Sequence, residues 1–328
     1  MVEKAVKIAV LFAGQGAQAP GMGKSLYDNS PAAAKIFEAA GDDLKRMIFD
    51  GTAEELKDTR VTQPAVFTVD MAAWAAFSER AGRAGRAAAC DIVGMAGFSL
   101  GEYAAMTASG AIPTFEAGLE LVRKRCVLMD AAGRYEDGSP RGTMAAVVGP
   151  RDEIIKTVAE AKNGDYVLEA VNFNSPAQTA IAGDAAGIDA FKEAVATSGN
   201  RLKVIPLAVS TAFHSRIMAP ASDGIRQAAS EIDFGIPKYR LCLNLTGDFY
   251  APGATADTFP EIMAKQVMSP VYWQESLEAL AGAGAQVFVE LGPGRTLTGL
   301  ARKTVPGAVA VNVDDAESLE EAIRAIES

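Results

Sequence analysis

A single histidine, His214, serves the whole chain of 328 residues. Metal sites built on several histidines are excluded by that count, and any imidazole-assisted chemistry has to run through this one side chain. Cysteine is almost as scarce. Cys90, Cys126 and Cys242 include no Cys-x-x-Cys pair and read as reduced core thiols of a cytoplasmic protein. No run of 18 or more apolar residues occurs, so no membrane span is expected. At the start, Lys4 and Lys7 precede a short apolar stretch over 8–13 that is too brief for a signal peptide and reads as a first buried strand. Positive charge is also in deficit. A formal net charge of -10 argues against nucleic acid as a partner, because phosphate binding needs concentrated positive charge. An anionic ligand would need a local basic patch, for which Arg80, Arg83 and Arg86, or the run Arg123-Lys124-Arg125, are candidates; the first set reads equally as a solvated helix face. Neither a metal nor a cofactor is expected.

With 49% hydrophobic residues the chain can bury a large core. Short apolar, β-rich runs over 5–12, 92–97 and 286–291 alternate with amphipathic stretches, and each run leads into a glycine-containing turn. That pattern predicts an α/β fold with a mostly parallel sheet. The middle of the chain reads differently. After a polar loop at 135–142 come a strand (143–148), a helix (151–162), two strands (166–171 and 178–182), a helix (185–198) and a strand (202–207). This β-α-β-β-α-β order is that of a ferredoxin-like unit of about 70 residues. A small domain inserted into a larger one leaves a cleft between them where ligands commonly bind.

Gly97-Phe98-Ser99-Leu100-Gly101 follows an apolar run and precedes a helical stretch starting near Glu102. A serine on a tight strand-to-helix turn needs small neighbours, and the turn exposes its hydroxyl above the sheet. It also places the Leu100 N–H at a helix N-terminus, where it can stabilise a developing oxyanion. Ser99 is therefore the candidate nucleophile. His214, just beyond the last strand of the insert, is the only available base. No Asp or Glu is singled out to orient it.

Gly14-Gln15-Gly16-Ala17-Gln18-Ala19 formally matches the dinucleotide fingerprint. Pro20, Gly21 and Gly23 fall where the phosphate-binding helix should continue, and no acidic residue ends a second strand, so that reading is rejected. The loop, with Gln15 at the end of a strand, can instead supply a second donor to the oxyanion site. Arg125 stands out for its position. With Leu119 at zero and about 100° per residue, Leu128, Leu121, Met129, Val122 and Cys126 span roughly 180° to 340°, and Arg125 falls inside that arc near 240°. It should point inward, whereas Arg123 and Lys124 fall on the wet side. A buried guanidinium needs a partner: either an internal carboxylate satisfies it or it receives an anionic substrate.

Together these residues resemble the malonyl-CoA:acyl carrier protein transacylases of fatty acid synthesis and the related acyltransferase domains of polyketide synthases. The resemblance runs over nearly the whole chain. It is carried by Phe12-Ala13-Gly14-Gln15-Gly16-Ala17-Gln18, Thr62-Gln63-Pro64-Ala65, Gly97-Phe98-Ser99-Leu100-Gly101-Glu102-Tyr103, Val171-Asn172-Phe173-Asn174-Ser175-Pro176, Ala212-Phe213-His214-Ser215 and Leu291-Gly292-Pro293-Gly294. It implies an α/β-hydrolase-like catalytic domain over 1–136 and 208–328 with a ferredoxin-like insert at 137–207. It also implies catalysis by Ser99 and His214, an oxyanion site from Gln15 and Leu100, and a malonyl carboxylate on Arg125. Gln266 would orient His214 through its main-chain carbonyl. Phe213 is similar to the malonyl-selecting form of its motif. The chain departs from the family at Phe98, where many relatives carry His, and at Ala13, where Pro is common. The implied partners are malonyl-CoA and an acyl carrier protein, and the implied protein is a monomer. A serine thioesterase, a trans-acting polyketide acyltransferase and a non-catalytic carrier-docking module are the rival readings.

Overall fold

The computed structural model describes residues 5–83, 90–162, 164–209, 211–251 and 255–327. Among the described residues nine strands run in chain order: β1 (Val6–Phe12), β2 (Cys90–Gly97), β3 (Thr143–Val148), β4 (Leu168–Ser175), β5 (Gln178–Gly183), β6 (Lys203–Pro206), β7 (Leu241–Cys242), β8 (Val287–Leu291) and β9 (Val309–Val313). They form two sheets. One is five-stranded, in the order β7-β2-β1-β8-β9, and every pairing in it is parallel. The other is four-stranded, in the order β4-β5-β3-β6, and every pairing in it is antiparallel.

Composition explains the difference between the sheets. Helices cover both faces of the parallel sheet, so its central strands have no wet side: Ile8 through Phe12 and all of β8 are buried. Such strands read as unbroken apolar runs. The antiparallel sheet alternates instead. Ala145 and Val147 of β3 pack into the sheet's own core with Ile154 and Phe191. Met144 and Ala146, pointing the other way, line a cleft shared with the large sheet.

Most expected bounds agree with those found: the strand 143–148 and the helix 185–198 are present as read, and the helix at 151–162 runs Arg151–Ala161. The strand expected at 166–171 is displaced. It starts at Leu168 and continues to Ser175 through register shifts between Ala170 and Asn172 and between Phe173 and Ser175. The polar Asn172–Ser175 stretch looks like loop, yet it pairs with β5 and is held in addition from outside the small sheet. Phe173 N–H donates to the Val271 carbonyl at 2.9 Å, and Val271 N–H donates to the Val171 carbonyl at 2.8 Å. Arg151 strengthens this seam. It pairs with Glu275 at 2.5 Å and lies 3.9 Å from the Phe173 ring centroid, and that ring stacks on Tyr272.

Among the described residues no helix is long and apolar enough to cross a membrane. The three cysteines are free; Cys126 and Cys242 are buried and Cys90 is half-buried. Of the candidate basic patches, Arg80 pairs with Glu320 at 2.7 Å and Lys124 with Glu231 at 2.5 Å. These are ordinary surface pairs. Arg86, the Arg83 side chain and Lys4 lie outside the described residues.

Candidate active site

The turn from β2 to the helix Gly101–Ser109 carries Ser99 at φ 53°, in the left-handed region. For a residue with a Cβ this costs about 1–2 kcal/mol, so the surroundings must impose it. The flanking glycines allow the chain to close that tightly. A Cβ on Gly97 would fall 1.9 Å from Gly101, and one on Gly101 would fall 2.2 Å from the Phe12 carbonyl oxygen. Asn244, just beyond β7, grips the turn from outside: its side-chain oxygen accepts from Ser99 N–H at 2.7 Å, and its amide donates to the Gly97 carbonyl at 2.7 Å.

His214 is also held at positive φ, 63°, and is 3% exposed. Its Nε2 lies 2.6 Å from Ser99 Oγ and its Nδ1 lies 3.0 Å from the Gln266 main-chain oxygen. A carbonyl only accepts, so Nδ1 bears the proton and Nε2 presents its lone pair to the serine hydroxyl. Burial, and then the positive charge of Arg125, pull the imidazole pKa down to about 4. At neutral pH it is an unprotonated base.

Arg125 comes from the middle of the helix Phe115–Ala132 and is 1% exposed, on the inward face that the 3.6-residue period assigns it. Its hydrogen bonds go to neutral oxygens: Nη1 donates to Gln63 Oε1 at 2.6 Å, while Nη2 reaches Ser99 Oγ at 3.2 Å and Gln266 Oε1 at 3.4 Å. Among the described residues no carboxylate forms an ion pair with it, and Nη2 turns toward the Ser99 hydroxyl. The ring of Tyr103, 5.1 Å away, supplies a further attractive surface.

The remaining expected residues fall around the same cleft. Gln15, Leu100 and Phe213 line it together with Ser99, Arg125 and His214. Among the described residues neither the Gln15 nor the Leu100 backbone N–H has an acceptor, while the Gln15 side-chain oxygen accepts from Thr59 at 3.0 Å. No helix follows the glycine loop until Lys24, in keeping with the rejected dinucleotide reading. Phe98 packs edge-on against Trp273, with centroids 5.3 Å apart, so the position next to the nucleophile is apolar.

Three contributors carried no assigned role in the sequence. Gln63 holds Arg125, Asn244 holds the serine turn, and Glu102 lies behind both Asn244 and Gln266. Its Oε1 accepts from Asn244 N–H at 2.9 Å and its Oε2 accepts from the Gln266 amide. Burial drives the Glu102 pKa up to about 7 despite those hydrogen bonds and the charge of Arg125. Gln63 and Glu102 sit inside motifs already noted; for Asn244 the available signal was one amide inside the apolar run Leu241-Cys242-Leu243-Asn244-Leu245.

Residues 10–325 match the family described as "Acyl transferase domain". The chain belongs to the malonyl-CoA:acyl carrier protein transacylases within that family. It is 35% identical over 326 residues to the malonyl CoA-acyl carrier protein transacylase of Bacillus subtilis (strain 168), covering 98% of this chain and 97% of that one. The structure of the malonyl CoA-acyl carrier protein transacylase from Coxiella burnetii superimposes with a TM-score of 0.88 at 29% identity over the full length of both chains. A malonyl-transacylase solved in complex with its type II PKS acyl-carrier protein gives a TM-score of 0.86 at 32% identity, covering 97% of this chain and 99% of that one. Members of this family are acyltransferases, and the Ser99 hydroxyl, the His214 imidazole and the Arg125 guanidinium meet in one cleft of this chain.

Proposed function

We propose that this chain transfers malonyl from coenzyme A to the phosphopantetheine thiol of an acyl carrier protein, through a malonyl ester on Ser99, for fatty acid synthesis. The observation that carries the reading is the placement of an uncompensated guanidinium 3.2 Å from the hydroxyl that His214 activates. In a malonyl ester the carboxylate carbon lies within about 4 Å of Oγ, inside the reach of Arg125. A monocarboxylate without that distal charge would leave the arginine unmatched.

The cycle has two halves. His214 Nε2 takes the Ser99 proton as Oγ attacks the thioester carbonyl, the Gln15 and Leu100 amides receive the developing oxyanion, and the coenzyme A sulfur leaves with the proton from His214. The carrier's thiol then gives its proton to His214 and attacks the ester, and His214 returns that proton to Oγ as Ser99 leaves. Gln266 keeps the imidazole in the working tautomer through its carbonyl. Arg125 anchors the acyl group by its far end, and Phe213 walls the space beside the malonyl methylene, disfavouring a branched acyl group.

The division into a catalytic domain of α/β-hydrolase-like form (1–136 and 208–328) and a ferredoxin-like insert (137–207) belongs to the same reading. The serine turn after a parallel strand supports the first part, and the strand order β4-β5-β3-β6 supports the second. The protein acts as a cytoplasmic monomer on small-molecule and carrier substrates, without nucleic acid or membrane; the net charge of -10 favours this. A polyketide carrier is the second reading, favoured by the resemblance to the transacylase bound to a type II PKS carrier.

Intact-protein and peptide mass spectrometry after mixing with malonyl-CoA tests the proposal. A malonyl adduct on the Ser99 peptide, absent in Ser99→Ala and discharged by a holo carrier protein faster than by water, is expected. An adduct on another residue, or discharge only to water, would overturn it. Fatty acid and polyketide carriers offered side by side separate the two carrier readings.

A further inference from the structure

One buried carboxylate stands behind the whole nucleophile assembly without touching the cleft. Glu102 is 3% exposed, and each of its two oxygens receives a different donor. Through Oε1 it holds the Asn244 backbone N–H, at 2.9 Å; through Oε2 it holds the Gln266 side-chain amide.

Those two residues clamp Ser99 from opposite sides. Asn244 takes the Ser99 N–H and the Gly97 carbonyl, 2.7 Å each. Gln266 donates its second amide hydrogen to the Ser99 carbonyl at 2.8 Å. Gln266 also carries the main-chain oxygen that receives His214 Nδ1 and the side-chain oxygen that meets Arg125. The backbone polar groups on either side of the strained nucleophile, the orienting partner of the base and one contact of the guanidinium thus all lead back to one carboxylate. The Glu102 backbone N–H, donating to the Ser99 carbonyl at 3.2 Å, ties the same residue to the turn a third time.

The side chains in this arrangement are not interchangeable. Both groups facing the Glu102 side chain are N–H donors, so only a group that accepts at both ends completes the set. An amide in its place accepts at one end and presents N–H to N–H at the other. Relief then requires the Gln266 side chain to flip, which withdraws its donor from the Ser99 carbonyl and turns an NH2 toward Arg125.

We propose that Glu102 is the positioning residue of this site: through Asn244 and Gln266 it locks the Ser99 turn, the His214 tautomer and the Arg125 fork into one frame. It touches no substrate, so its influence falls first on the reactivity of Ser99 and only weakly, through the long 3.4 Å contact of Gln266 with Arg125, on the affinity for malonyl-CoA. The proposal rests on Ser99 being the acylated residue.

The test compares wild type with Glu102→Gln, Asn244→Ser and the double variant, each shown to be folded by circular dichroism at the assay temperature. Two rates are read: labelling of Ser99 by a small fluorophosphonate, and malonyl transfer from malonyl-CoA to a holo carrier protein. Glu102→Gln should lower both the labelling rate and kcat roughly 10- to 100-fold while KM for malonyl-CoA moves less than about 3-fold. Asn244→Ser keeps both hydrogen bonds to the carboxylate, because the donor at that position is the backbone N–H, and removes the side-chain grip on Ser99 N–H and the Gly97 carbonyl. It should show the same pattern more weakly, and Asn244→Ser within 2-fold of wild type overturns the proposal if Glu102→Gln does not fold. The double variant should lose little beyond the worse single one, because both losses run through one frame. A folded Glu102→Gln with kcat and labelling within 2-fold of wild type would overturn the proposal, as would a loss confined to KM or strictly multiplicative losses. Wild type that takes up fluorophosphonate but no malonyl would instead sink the acyltransferase reading and leave this one standing on the labelling data.

Discussion

Arg125 Nη2 lies 3.2 Å from Ser99 Oγ, so the proposed receptor of the acyl group's carboxylate and the proposed nucleophile share one hydrogen-bond contact. Selectivity and reactivity are therefore joined in this site. Replacing Arg125 with Ala removes a charge-assisted, two-pronged contact with a carboxylate, a loss of about 3 kcal/mol, or roughly a hundredfold in kcat/KM for malonyl-CoA. Acetyl-CoA, which has no distal charge, should lose far less and become the better substrate. Competition between the two thioesters checks this; preserved malonyl preference would remove Arg125 from its assigned role.

Gln63 gives the same contact a second measurement. Its side-chain oxygen accepts from Arg125 Nη1 at 2.6 Å, and its amide donates to Thr59 at 3.0 Å. Gln63→Leu keeps the bulk and removes both bonds, leaving the guanidinium free to swing. KM for malonyl-CoA should rise about 10-fold, with kcat falling less. Steady-state kinetics with malonyl-CoA varied at saturating carrier read the split.

Two groups shape the acid side of the acylation rate: Glu102, whose pKa burial raises to about 7, and, further down, His214. Because burial and Arg125 hold its pKa down to about 4, the base stays unprotonated well below the ordinary histidine value of 6.5. Single-turnover acylation should lose its His214-dependent activity only as pH falls toward 4, and Arg125→Ala should move that limb upward by removing the second cause of the shift. Stability follows the same group. The unfolded chain takes up this proton near 6.5 and the folded one only near 4, so the contribution is whole above 6.5 and is lost as pH falls between those values. Urea midpoints at pH 7 and pH 5 should differ less in His214→Gln than in wild type.

The glycines of the turn are steric requirements. A methyl on Gly101 would stand 2.2 Å from a main-chain oxygen of β1 that cannot retreat without shifting the central strand. Gly101→Ala should cost about 3 kcal/mol or abolish soluble expression, whereas Gly199→Ala, where nothing lies within 4 Å, loses only the ease of its positive φ, about 1 kcal/mol. Thermal melts of the pair, with wild type alongside, compare the two; equal shifts would show that the turn yields.

The legible part of the site was the part that local pattern carries. Ser99 announces itself through glycine spacing between a strand and a helix, Arg125 through a helical period that turns a charge inward, and His214 through being alone. Parallel strands buried on both faces and the alternating strands of the antiparallel sheet were equally readable. Partners were not. Whether an internal acid or a substrate balances Arg125 could not be read from the helix, and the hydrogen-bond acceptor found on its Nη1 is the neutral Gln63, 62 residues away. The grip of Asn244 on Ser99 spans 145 residues and follows no period. The far end of β4 was lost for a related reason: it pairs with β5 through two register shifts and takes further main-chain bonds from Val271, far along the chain, which no local period announces.

That last pairing limits how the enzyme can be rebuilt. Two main-chain bonds between β4 and Val271, with the Arg151–Glu275 pair and the stacked rings beside them, weld one wall of the crevice to the other. The walls cannot swing apart there like a clamshell, and a chimera that swaps residues 137–207 must import the matching rim around Val271 and Glu275 or lose these ties between the two sheets.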